Sequence, residues 1–261
     1  MSLFLRLWRL LPRSFQLSII TMIQRNQSLY RWLMFRHVEA KDRLSGNYAH
    51  LPPPKLRYLV SASPDAEHFI AVGQRCAADI QSALQKVGRE LNSFPRILDF
   101  GCGCARTLIH IKALAPGAQF DGADIDSRAI EWCKQNLNFA RFSLSKETPP
   151  IEYAPDTFDL IYAISVFTHL DEDYQFRWLK ELRRIAKPGA VLLLTVDSSR
   201  ADESGFVFQR SYEEGLFPAW YQNAFHSKEY VLENFGKYFD VLGYFPRTLN
   251  DLQDIVVLQK Q

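Results

Sequence analysis

The residues best suited to chemistry cluster between Asp99 and Asp126. Asp99, Phe100, Gly101, Cys102 and Gly103 stand in the run Ile97-Leu98-Asp99-Phe100-Gly101-Cys102-Gly103-Cys104-Ala105-Arg106, where an apolar strand meets a glycine-bearing turn and then a helix. Glycines at alternate positions let the backbone turn tightly and approach a ligand closely. Asp124 closes a second apolar strand, 21 residues after Gly103. A carboxylate at that place can accept hydrogen bonds from two ribose hydroxyls, or it can cap a helix. Asp126 reads as the N-cap of the helix that follows. Two histidines are candidates for proton transfer. His169 follows the fourth strand at the edge of the expected crevice, and His226 stands just before a helix capped by Ser227. Each has a plainer alternative as a capping or packing residue.

These residues need elements to hold them. From Pro95 onward, short apolar strands alternate with helical stretches. Strands are expected at Arg96–Phe100, Gln119–Ala123, Ala140–Ser145, Leu160–Ile164 and Ala190–Val196. Helices are expected at Ser127–Leu137 and Asp171–Ala186, the latter ended by Lys187-Pro188-Gly189. Nearly continuous apolar strands separated by helices predict an α/β doubly wound, mostly parallel sheet covered on both faces. Phe239–Phe245 and Asp254–Lys260 are two further strands with no room for a helix between them, so they pair antiparallel. A long helix, Asp65–Leu91, leads into the sheet. Its Phe69, Val72, Cys76, Ile80, Leu84 and Val87 recur at three and four. Ahead of it, residues 1–60 read as a basic helical extension that Leu51-Pro52-Pro53-Pro54 brings to a stop. The domain proper is then 61–261, with 61–95 as its leading helix. Residues 198–226, rich in Phe and Tyr, are expected to act as a substrate lid or to pack a small core of their own.

The chain has 261 residues, 47% hydrophobic and 23% charged, with a net charge of +2. That composition suits one globular domain with an extension and gives no overall field for nucleic acid. The four cysteines make neither a secreted disulfide framework nor a paired zinc knuckle, so reduced thiols, no metal and a cytoplasmic location are expected. No apolar run reaches about 20 residues. Residues 1–44 carry eight basic and two acidic residues, a bias that suits peripheral contact with an anionic membrane, packing on the chain's own domain, or a homodimer mate.

In these motifs the chain resembles the class I S-adenosylmethionine-dependent methyltransferases. Asp99, Gly101 and Gly103 match the family's acid followed by Gly-x-Gly-x-Gly, with Ala105 in place of the third glycine. Phe158-Asp159-Leu160-Ile161-Tyr162-Ala163-Ile164, Ser165 to Leu170, Leu179 to Leu182 and Lys187 to Ala190 continue the pattern in order over residues 95–261. The resemblance implies a seven-stranded Rossmann-like sheet whose last strand is antiparallel, and S-adenosyl-L-methionine as cofactor. It implies that Asp99, Phe100, Gly101, Cys102 and Gly103 hold the methionine part, that Asp124 holds the ribose, and that Ile125 and Ser165 complete the cofactor set. Phe142, Ser143 and Ser145 are weak candidates for the adenine. The expected reaction is in-line methyl transfer to a small-molecule acceptor, with His169 or His226 as base. A dinucleotide dehydrogenase is disfavoured because its third glycine would fall at Arg106, and nucleic-acid methylation is disfavoured because no Asn/Asp-Pro-Pro-aromatic motif is present. A non-catalytic cofactor-binding module and aminopropyl transfer on the same fold are the alternatives.

Overall fold

The computed structural model describes residues 26–209 and 222–261. The expected first helix within Met1–Ile23 and the centre of the lid, with Tyr212, Glu213, Glu214, Phe217, Trp220 and Tyr221, lie outside the described residues.

Strand β1 (Arg96–Phe100) pairs in parallel with β2 (Gln119–Asp124) on one side and β4 (Phe158–Ala163) on the other. β3 (Ala140–Leu144) extends the sheet beyond β2, and β5 (Ala186–Val196) beyond β4. The hairpin of β8 (Asp240–Leu249) and β9 (Gln253–Gln259) inserts β9 antiparallel against β5. The order is β3-β2-β1-β4-β5-β9-β8, the seven-stranded sheet with an antiparallel strand that the sequence predicts. The connections from β1 and β4 leave in opposite directions, which opens a crevice at their carboxyl ends.

Side-chain alternation explains why both faces are covered. Ile97, Leu160 and Leu193 join one core with helix α3 (Ala66–Lys86) and helix α4 (Leu108–Leu114). Leu98, Ile161, Leu192 and Leu194 join the other with helix α6 (Glu172–Ile185) and helix α7 (Lys228–Phe235). Helix α5 (Ser127–Asn136) starts where Asp126 accepts from the Arg128 amide, and α7 where Ser227 accepts from the Tyr230 amide, so both expected caps form.

Several boundaries differ from the sequence expectation; β4 starts two residues early, at Phe158, and β8 runs four residues further, to Leu249. Helix α3 ends at Lys86 rather than Leu91, because Gly88 takes a left-handed φ of +71° just past it. Strand β5 begins at Ala186, so Lys187-Pro188-Gly189 lies within the strand; a register shift opposite Phe158 and Leu160, with Gly189 at φ +77°, absorbs the irregularity. The triple proline does not only stop a helix. Helix α1 (Gln27–Ser45) already ends at Gly46, while Pro53 and Pro54 open helix α2 (Pro54–Ser61), the position where a missing N–H costs nothing. Helix α2 runs across residue 60 and packs Leu56 with Phe69, Cys104 and Ala129 of the domain. Between β5 and α7, β6 (Phe206–Gln209) pairs antiparallel with β7 (Asn223–His226), so the ends of the expected lid form a two-stranded ribbon. Among the described residues no helix is long and apolar enough to cross a membrane.

Candidate active site

The turn after β1 is built as its glycines require. Gly101 has φ +82° and Gly103 φ +51°. A Cβ on Gly101 would stand 2.3 Å from Val166 Cγ2, and one on Gly103 2.4 Å from Val60 Cγ1, so neither position has room for a side chain. Ala105 also adopts the left-handed region, at φ +61°, where its amide donates to the Cys102 carbonyl at 2.8 Å and closes the turn. The alanine therefore keeps the turn shape, at a backbone cost of roughly 1–2 kcal/mol.

Two acids sit beside this turn. The amides of Gly101 and Cys102 both donate to Ala123 O, which locks the turn to the end of β2. There Asp124 accepts from the Gly103 amide at 2.7 Å through Oδ2 and from the Asp126 amide at 2.7 Å through Oδ1. Each oxygen uses one contact, and a carboxylate has about four acceptor sites, so the fixed group keeps capacity for ligand hydroxyls. Burial raises its pKa. Asp99 is 3% exposed and pairs in register with the fully buried Tyr162 of β4. Burial pushes its carboxyl up to about 7, against the downward pull of the Tyr162 phenol and the Arg106 guanidinium.

A cavity of about 1300 Å³ opens over these groups. It exceeds the roughly 300–1000 Å³ usual for one small ligand, which leaves room for two reactants. Asp99, Phe100, Gly101, Cys102, Gly103, Asp124, Ile125 and Ser165 all line it, so the structure brings the whole expected cofactor set together. Ser165 holds a strained φ of +55°. Its amide donates to Thr195 Oγ1 at 2.8 Å and its hydroxyl to Gln253 Oε1 at 3.0 Å, which ties β4 to the β8–β9 hairpin.

The histidines separate. His169 lines the cavity, and its Nδ1 donates to the Gln222 carbonyl at 2.7 Å. Burial lowers its pKa to about 4, so near neutrality the ring is uncharged, with Nδ1 protonated and Nε2 in the basic form. His226 is fully buried and is not part of the cavity wall. Gln175 fixes its role, because the amide nitrogen of Gln175 donates to Phe167 O and Leu170 O, leaving Oε1 to accept from His226 Nε2 at 2.9 Å. Burial lowers the His226 pKa to about 3. His226 thus helps to hold the short 3-10 turn Phe167–His169 in place, as part of the support beneath the other histidine.

Of the adenine candidates, Ser145 reaches the cavity, whereas Ser143 bonds Tyr153 and Phe142 packs in the core. All four cysteines are buried and unbridged. Burial pushes the Cys133 thiol up to about 12 and Cys104 further still, so neither is a nucleophile at neutral pH. Among the described residues no cluster of metal-ligating side chains occurs.

Several wall residues had no sequence signal. Tyr58 and Val60 of α2, His68 and Arg75 of α3, and Asn250 of the hairpin come from elements far apart in the chain. Trp178 of α6 packs on Phe100, with ring centroids 4.7 Å apart, while its indole N–H donates to Glu147 O.

Comparison with known proteins agrees with this geometry. Residues 98–192 match the family model described as a methyltransferase domain. A tRNA (carboxymethyluridine(34)-5-O)-methyltransferase of Arabidopsis thaliana is 29% identical over 126 residues, 47% of this chain; the match spans only 30% of that relative's length. An S-adenosylmethionine-dependent methyltransferase of Methanosarcina mazei superposes with a TM-score of 0.50 at 21% identity, covering 63% of this chain and 92% of its own. The 1,6-didemethyltoxoflavin-N1-methyltransferase of Burkholderia thailandensis superposes with a TM-score of 0.54 at 15% identity, covering 72% and 78%. These two show a shared fold. Residues 98–192 therefore carry a methyltransferase domain, set in a seven-stranded sheet of the order β3-β2-β1-β4-β5-β9-β8.

Proposed function

We propose that the chain transfers the methyl group of S-adenosylmethionine to a small-molecule acceptor by direct in-line displacement. The observation that carries this reading is a carboxylate, Asp124, pinned by two backbone amides at a cavity larger than one ligand needs. Bound there, S-adenosylmethionine supplies an already activated sulfonium methyl. Asp124 receives the ribose hydroxyls, the backbone of Phe100 to Gly103 receives the amino-acid end, and Ile125 and Ser165 complete the wall.

The chain's remaining task is alignment and water exclusion, which together can supply most of the acceleration. Trp178, Tyr174 and Phe208 give the cavity an aromatic rim suited to an apolar ring. His169 Nε2 accepts the proton of the acceptor's hydroxyl or N–H, with the Gln222 carbonyl holding the opposite edge of the ring. The tRNA-modifying relative makes RNA the acceptor class to be tested against this reading.

The test incubates the full chain with methyl-labelled S-adenosylmethionine and, in parallel, a panel of phenols and amines and bulk tRNA. Label in a small molecule, reduced by His169→Gln, is the expected outcome. Label in tRNA alone would overturn the acceptor class while leaving the cofactor assignment intact.

A further inference from the structure

We propose that the outward face of helix α1 is a docking surface for an anionic phospholipid bilayer. Tyr30, Leu33, His37, Ala40 and Leu44 recur at three and four, and all are exposed. They form one stripe down the side of the helix that faces away from the domain. Leu44 is 90% exposed. An isolated exposed leucine needs no explanation, but two leucines and a tyrosine on one exposed stripe do.

The opposite side of α1 is engaged with the domain. Phe35 meets Tyr58 of α2 edge-on, with ring centroids 5.6 Å apart. Asp42 pairs at 2.5 Å with Arg57, a residue 1% exposed that also donates to Pro64 O. The inward face is therefore fixed, and the outward face is what remains.

Charge selects the occupant. Arg36 and Arg43 flank the stripe on one side and Lys41 on the other, with side chains between 59% and 73% exposed. Each of these cations has an acid nearby, Lys41 pairing with Asp65 at 3.4 Å, but the pairs are exposed and screened by solvent. Asp42 is committed to Arg57, and Glu39 is shared between Arg36 and Arg43 in pairs worth about 0–1 kcal/mol at such exposure. Residues 1–25, directly before the helix, contain four arginines and no acid. An exposed stripe that carries Tyr30, Leu33 and Leu44, edged by cations, suits a helix lying on an anionic membrane surface.

The full chain would be floated with vesicles of phosphatidylglycerol and phosphatidylcholine, and with phosphatidylcholine alone. Variants are Leu33→Ser with Leu44→Ser, and Arg36→Gln with Arg43→Gln. Expected are flotation on the anionic vesicles only, loss between about 0.05 M and about 0.5 M salt, and a drop of roughly tenfold or more in partitioning for both variants at unchanged thermal midpoint. Absence of flotation, equal binding to neutral vesicles, or full binding by both variants would overturn the proposal. A dimer in sedimentation that the leucine variant dissolves would make a second copy of the chain the occupant instead. None of the substituted residues lines the cavity, so these outcomes leave the proposed reaction untouched.

Discussion

The two halves of the cavity are built on different plans. The half we assign to the cofactor comes mainly from the β1 turn and the end of β2, with Ser165 added from beyond β4, and the contacts around its glycine turn are backbone amides closing on acids. The half we propose for the acceptor is assembled from α2, the turn Phe167–His169, β7 and the β8–β9 hairpin, and it rests on the contacts of His169 with Gln222 and of His226 with Gln175. The first plan tolerates no added atom.

The two halves also respond to acid in opposite ways. Asp99 has a pKa of about 7, raised above its ordinary value, so it contributes stability below about pH 4 that is lost as pH rises toward 7. His169 and His226 have pKa values of about 4 and about 3, lowered by burial. They contribute stability above about pH 6.5 that is lost as pH falls toward those values. Over roughly pH 4 to 6.5 the slopes oppose each other.

Four outcomes sharpen this contrast, in falling order of effect. Gly101→Ala forces a Cβ onto Val166 in a left-handed backbone; it should cost about 1–3 kcal/mol of stability in urea denaturation and abolish measurable S-adenosylhomocysteine binding. His226→Phe removes the donor to Gln175 Oε1 and should cost about 1–3 kcal/mol while leaving cofactor affinity within about twofold. Preserved stability would contradict the supporting role assigned to this ring. Asp99→Asn should stabilise the ligand-free protein near neutral pH by about 1–3 kcal/mol, because the buried charge is gone, and should steepen the loss of stability on acidification. His169→Gln should make the loss on acidification shallower by a smaller amount, because that ring is less buried than His226. Denaturant midpoints measured across this pH range would reveal a wrong sign in either half.

The same contrast decides what could be read from the residues in advance. Asp99, Gly101, Gly103 and Asp124 announce themselves because a local turn and a strand end dictate residue type at short spacing, and every member of that set reaches the cavity. The strands were legible because burial on both faces leaves continuous apolar runs. Tyr58, Arg75, Asn250 and Trp178 were not, since only the tertiary fold brings α2, α3, the hairpin and α6 to one wall. The histidines show the limit most clearly. His169 and His226 have similar surroundings in sequence, yet one faces the cavity and the other lies fully buried against Gln175. The triple proline shows another limit, since Pro54 opens a helix as readily as prolines end one.

The central claim is that Asp124 and the glycine turn hold S-adenosylmethionine. Calorimetric titration of the full chain with S-adenosylhomocysteine, alongside NAD and with Asp124→Ala as the variant, tests it most directly. Binding in roughly the micromolar range is expected for S-adenosylhomocysteine alone, weakened about 30-fold or more in the variant by loss of two charge-assisted hydrogen bonds. Binding that prefers NAD, or that survives Asp124→Ala unchanged, would contradict it.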